Sequence, residues 1–155
     1  MTRAFVGLGA NLGDREETLR HAVELLRAEP EIEVAALSTL RETDPVDYLD
    51  QPRFLNGAVE LETTLGAREL LDRLLEAERA LGRERTGPRF GPRAVDLDLL
   101  LYGGATIDEP GLRVPHPRLH ERRFALEPLA ELEPALTIPG RGPVQTLLAA
   151  LHSDP

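Results

Sequence analysis

The sequence has no cysteine, no lysine and no tryptophan, and only 4% of its 155 residues are aromatic. Without cysteine there are no disulfides, thiolate zinc sites, iron–sulfur clusters or cysteine nucleophiles. That fits a reducing cytoplasm, where the protein is expected to reside. No apolar run approaches a membrane span, and no charged segment leads into an apolar signal stretch, so neither a membrane nor an export route is expected. The net charge of −9 lacks the basic footprint of a nucleic-acid binder. What is present is ordinary for a globular chain: 41% hydrophobic and 29% charged residues, enough for one domain over 1–155 with a real core. No obligate protein partner is evident.

Charge is spread unevenly. Residues 1–82 carry nine arginines against 17 acids, residues 83–123 carry eight against six, and residues 124–155 carry one against four. A coding or thermal bias accounts for arginine being the sole strong base. It does not account for the cluster, which suggests a small anionic ligand in the middle segment.

Periodicity gives the organisation. Ala4–Leu8 reads as a strand, and a helix follows from about Asp14, with Glu17 as in a capping box and Pro30 as a stop. A second strand runs from Ile32 to about Leu40, a long loop from Glu42 to Arg53, and a third strand from Phe54 to Thr63. Leu70, Leu71, Leu74, Ala77 and Leu81 mark a second helix that Gly82 terminates. After an Arg/Gly/Pro loop at 83–94, Val95–Tyr102 is a fourth strand. A short strand near Leu112–Val114, a helical piece at Arg118–Leu132 broken at Pro128, and a last helix from Pro143 complete the chain.

The order β-α-β-β-α-β predicts an α+β fold with a ferredoxin-like core, its antiparallel sheet carrying both helices on one face. Period-two alternation puts Ala4, Val6, Leu8, Leu55, Val59, Leu61, Val95, Leu97, Leu99 and Leu101 under those helices. The opposite face presents Phe54, Asn56, Glu60, Glu62, Asp96 and Asp98, with Phe5, Gly7 and Gly9 between them as a floor for a ligand.

Asp96 and Asp98 share a face about 7 Å apart, a spacing that suits hard divalent cations completed by water and phosphate oxygens. A lone D-x-D is as often a solvated strand edge. Here it follows a loop bearing Arg83, Arg85, Arg89 and Arg93, whose guanidinium forks suit phosphate, and the pair together points to phosphoryl chemistry. Phe54 beside Asn56 suits a flat heteroaromatic ring, stacked on one and read along an edge by the other; Phe124 and Phe90 are candidates for the second stacking partner. His116 with Arg122 suits phosphate better than zinc, because prolines flank His116 and His120 has no third ligand in view. Gly7-x-Gly9-x-x-x-Gly13 departs from the dinucleotide-binding spacing and lies partly inside a strand, which disfavours that reading.

Four segments, FVGLGAN at 5–11, DQPRFLNGAVELET at 50–63, GRERTGPRFGPRAVDLDLLLYG at 82–103 and VPHPRLHERRFALEPL at 114–129, resemble the 6-hydroxymethyl-7,8-dihydropterin pyrophosphokinase family of folate biosynthesis. The resemblance implies transfer of pyrophosphate from ATP, as co-substrate, to the pterin hydroxymethyl with release of AMP. It implies Asp96 and Asp98 as ligands of two Mg²⁺ ions, and Arg83 and Arg93 as catalytic flap residues. By the same likeness Arg85, Arg89, His116 and Arg122 join those two arginines on ATP. Thr43, Asp44, Pro45, Val46, Phe54, Asn56 and Phe124 line the pterin. Ala10, Leu75, Thr86, Phe90 and Pro117 depart from the family's common pattern. The rival expectation is a nucleotide-sensing module of the same fold without turnover.

Overall fold

Thr2–Ala10 alternates branched and small side chains with glycines and forms one long strand, β1, in the middle of a sheet. The computed structural model describes residues 1–44, 53–82 and 95–151. After β1 come α1 (Arg15–Arg27), β2 (Ile32–Leu37), β3 (Arg41–Thr43), β4 (Phe54–Thr63), α2 (Ala67–Ala80) and β5 (Asp96–Tyr102). Next are β6 (Ile107–Glu109), β7 (Leu112–Val114), a 3₁₀ turn at Leu119–Glu121 and α3 (Arg123–Leu132). The pair β8 (Thr137–Ile138) and β9 (Gly142–Pro143) precedes α4 (Val144–Ala150).

Local chemistry sets the helix ends as expected. Asp14 accepts a hydrogen bond from the Glu17 N–H at 3.1 Å, and Gly82 leaves α2 at φ +81°, a conformation that favours glycine. The main sheet runs β2-β4-β1-β5 with every pairing antiparallel, and β3 pairs the start of β4 beside that path.

One face carries α1 and α2. Leu19, Val23, Leu26, Leu70 and Leu74 pack there on Ala4, Val6, Leu8, Val59, Leu61, Val95, Leu97 and Leu99, as the alternation predicts. The other face is not left open. Leu126 and Leu129 of α3, Val144 of α4 and Ile138 form a second core with Phe5, Ala58, Leu100 and Leu101. Each fully buried leucine there contributes about 1.5–3 kcal/mol by leaving water.

Several expectations are corrected here. Leu101 belongs to the second core, not under α1 and α2, because the β1–β5 register shifts between Phe5 and Val6: Leu99 faces Val6, Leu101 faces Phe5, and Leu100 is the extra residue. Phe5, only 3% exposed, is core and not part of a ligand floor. The second strand stops at Leu37, and Arg41–Thr43, whose last two residues the sequence placed in a loop, is an edge strand too polar to show alternation. Leu112–Val114 gains Ile107–Glu109 as its hairpin partner. Pro128 does not break α3; it lies buried inside a continuous helix, where it forgoes one backbone donor.

Candidate active site

The register builds the site in rows. Opposite partners in an antiparallel ladder share a face, so Arg41, Asn56, Gly9 and Asp96 form one row across β3, β4, β1 and β5. Ala58, Gly7 and Asp98 form the next. Strands lie about 4.8 Å apart, which sets Asn56 and Asp96 about 10 Å from each other across Gly9.

The two glycines admit the protein's own side chains before any ligand, which amends the expected open floor. A Cβ on Gly9 would stand 2.9 Å from Asn56 Nδ2, so the amide lies against the Gly9 backbone. A Cβ on Gly7 would meet Leu100 Cδ1 at 3.3 Å. Asn56 is 8% exposed, and its Oδ1 accepts a hydrogen bond from Thr43 Oγ1. The amide is therefore oriented before any ligand arrives. Phe54 faces Thr43 in the ladder and shares the Asn56 side of β4. Phe124 projects from the first turn of α3, half-buried, with the Arg122 guanidinium 5.6 Å from its ring centre.

At the other end of the rows, β5 is an edge strand, and Asp98 opens on a cavity of about 450 Å³ between α2 and the β6–β7 hairpin. Leu71 and Leu75 of α2, Leu97 and Leu99 make its apolar wall; Glu78, Asp98, Arg113 and His116 supply its polar groups. The extra residue in β5 has a consequence here: the Leu100 carbonyl accepts the His116 N–H at 3.0 Å and places the imidazole beside Asp98 in the cavity lining. Burial, then the charges of Arg122 and Arg118, holds His116 down to about 4 from its ordinary 6.5. The Arg118 N–H donates to Nδ1 at 3.3 Å, so the neutral ring carries its proton on Nε2, as a donor.

Of the expected site residues, Thr43, Phe54, Asn56, Asp96 and Asp98 share one face of the sheet, and His116 lies on the cavity edge. Asp44 behaves differently: it is exposed and pairs with Arg53 Nε at 3.2 Å, at the stem where Arg15 also binds the Arg53 carbonyl and Glu42. Pro45, Val46, Arg83, Arg85, Arg89 and Arg93 lie outside the described residues. Glu78 was not anticipated. It is 5% exposed, and its Oε2 accepts the Leu97 N–H at 2.8 Å, between the two aspartates. The available signal was a carboxylate continuing the Leu70, Leu74 stripe at the next four-residue step. No group of three or more metal-ligating side chains gathers among the described residues, so Asp96 and Asp98 stand as a two-carboxylate set.

The family model for 7,8-dihydro-6-hydroxymethylpterin-pyrophosphokinase (HPPK) matches residues 5–134. This chain belongs to the HPPK family. Among HPPK relatives, the 2-amino-4-hydroxy-6-hydroxymethyldihydropteridine pyrophosphokinase of Bacillus subtilis is 50% identical over 129 residues, 83% of this chain and 77% of that one. Its counterpart from Pseudomonas aeruginosa is 43% identical over 148 residues, covering 96% and 91%. A solved HPPK-DHPS structure in complex with substrates superposes with a TM-score of 0.77 at 11% identity, over 96% of this chain. This chain spans 43% of that longer polypeptide, and the likeness shows a shared fold.

Proposed function

We propose that the two ends of the glycine-bearing rows are the two halves of one transferase site. The HPPK reaction follows from the family: pyrophosphate passes from ATP to 6-hydroxymethyl-7,8-dihydropterin, in folate biosynthesis. The observation that best supports the residue assignment is the spacing of Asn56 and Asp96, one strand apart on either side of Gly9. A pterin read along its edge by Asn56 extends its hydroxymethyl arm toward the aspartates. Stacking on Phe54 and Phe124 adds about 0.5–1.5 kcal/mol per ring pair. ATP occupies the cavity beside Leu71 and Leu75, with its triphosphate leading toward Asp98 and the Nε2–H of His116.

The acidic pair fits Mg²⁺, which takes one or two carboxylates and fills its shell with phosphate oxygens and water. Asp96 and Asp98 would hold two such ions, which supply charge neutralisation along the triphosphate when bound. The chain's own contribution is positioning. Asn56, oriented by Thr43, fixes the acceptor. His116 and Arg122 bind phosphate oxygens, and Arg83 and Arg93 are assigned to offset charge on the transferring group. The hydroxymethyl oxygen attacks the β-phosphorus and forms the new P–O bond. The bond from that phosphorus to the α,β-bridging oxygen breaks, AMP leaves with the oxygen, and the hydroxyl proton is released to solvent.

The strand order matches the split-βαβ pattern once β3 is set aside, which supports a ferredoxin-like core within a single domain at 1–155, and a cysteine-free chain suits a cytoplasmic setting. The test is product identity. Incubation with MgATP and 6-hydroxymethyl-7,8-dihydropterin should yield AMP and the pterin diphosphate. ADP would mean single phosphoryl transfer, and unchanged ATP would mean a binding module; either overturns the reading.

A further inference from the structure

Helix α3 carries Phe124 in its first turn and Glu131 near its end. Seven residues apart, they project from the same side of the helix, about 10 Å from each other along its axis. Glu131 reaches off α3 to the edge of the sheet. Its Oε2 accepts from the Thr39 N–H at 2.9 Å and from Thr39 Oγ1 at 3.0 Å, and its Oε1 accepts from Arg41 Nη2 at 2.7 Å. Burial pushes the Glu131 carboxyl up, but the Thr39 donors and Arg41 outweigh it, and the acid stays below the usual carboxylate range.

The residues it grips lead directly into the pterin half of the site. Thr39 lies in the connection from β2 to β3, and Arg41 begins β3 opposite Asn56. β3 is three residues long and, among the described residues, pairs only with β4, so its ladder alone holds it weakly. Two positions on is Thr43, whose hydroxyl orients the Asn56 amide. One carboxylate thus joins the helix that carries one aromatic wall to the strand that aims the edge-reading amide.

We propose that Glu131 is a positioning residue for pterin recognition, tying β3 to α3 through Thr39 and Arg41 so that Phe124 and the Thr43–Asn56 pair keep a fixed separation. This rests on the assignment of Asn56 and Phe124 to the pterin half-site. Glu131 touches neither substrate in this scheme and acts wholly through the groups it binds.

Steady-state kinetics with each substrate varied test it. Glu131→Ala should raise the KM for 6-hydroxymethyl-7,8-dihydropterin about tenfold, with kcat and the KM for MgATP held within about twofold. Glu131→Gln, which keeps an acceptor for the Thr39 N–H, should recover part of the loss. Arg41→Gln should raise the pterin KM alone yet add little on top of Glu131→Ala. Asn56→Ala serves as the reference. If it weakens the pterin while Glu131→Ala leaves the pterin KM native, the positioning role is refuted and the half-site stands. If neither variant moves the pterin KM, the half-site assignment falls and the inference with it. Equal loss in kcat and both KM values would mean general damage to the fold and would also overturn it. Should Glu131→Ala prove insoluble, Glu131→Gln and Arg41→Gln carry the same comparison.

Discussion

Gly9→Ala is the sharpest probe of the row that joins the two half-sites. The added methyl would stand 2.9 Å from Asn56 Nδ2, closer than real Cβ contacts allow, so the amide must move. It cannot move freely, because it is buried and bonded to Thr43 Oγ1. Gly9 has ordinary extended backbone within β1, so alanine brings no strain of its own and recovers about 0.5–1 kcal/mol of chain entropy. Against that stands the displaced buried hydrogen bond, about 1–3 kcal/mol. Net stability should therefore fall by no more than about 2.5 kcal/mol, and the protein should remain folded. The effect on recognition is larger. A misaligned amide forfeits the pterin edge contacts at about 2–3 kcal/mol, or about 30- to 150-fold in pterin KM. MgATP, proposed to bind in the cavity beside β5, should keep its KM. Kinetics on Gly9→Ala, Asn56→Ala and the double variant close the cycle. In the Asn56→Ala background the methyl meets no amide, so the second substitution should cost less than about threefold. A single Gly9→Ala variant with native pterin KM, or full additivity in the double variant, would refute the reasoning.

Asp96→Asn and Asp98→Asn should each cut AMP release by about 10³-fold or more while the thermal midpoint changes little; near-native turnover in either would remove that carboxylate from the metal set. His116 makes folding pH-dependent, because its pKa falls from 6.5 in the unfolded chain to about 4 in the fold. Its stabilisation is complete above pH 6.5 and is lost as pH falls through about 4. The limit for that gap is about 3 kcal/mol, which partial solvent access reduces to about 1–2 kcal/mol. Urea titrations from pH 7.5 to 4.5 should show this slope in the native protein and a shallower one in His116→Gln; equal slopes would refute it. Glu78→Ala leaves the buried Leu97 N–H without its acceptor and should cost about 1–3 kcal/mol in urea, whereas Glu78→Gln should retain most of that stability.

What the sequence disclosed and what it withheld divide along a physical line. Features written in one element's own periodicity were legible: the caps of α1 and α2, the core stripe Leu70, Leu74, Ala77, and the shared face of Asp96 and Asp98. Features that exist only between elements were not. Leu99-Leu100-Leu101 is apolar at every position, so nothing in it marks which residue is extra, and the reversal of Leu101 shows only when Phe5 and Val6 are laid beside it. The same shift frees the Leu100 carbonyl for His116, a site contact with no trace in local composition. Arg41-Glu-Thr43 is likewise a strand by virtue of β4, since no apolar alternation gives its edge away.

The cover over the second face was the other thing hidden, and it changes how the site is built. Alternation alone gives the sheet a polar, open side. Yet Phe5, Ala58 and Leu101 on that side are apolar, and they required a partner layer that α3 and α4 supply. Asn56 lies beside Thr43 at the β3 side of that face, and the proposed pterin half-site takes its second aromatic, Phe124, from α3 in the C-terminal third of the chain. The cavity proposed for ATP, in contrast, is bordered by α2 and the β6–β7 hairpin. Because the two halves are walled by different elements and share only the β4–β1–β5 rows, substitutions in one wall should leave the other substrate's affinity intact. Substitutions in the shared rows, Gly9 above all, reach Asn56 on one side and face Asp96 on the other, and there a single methyl group can uncouple recognition from chemistry.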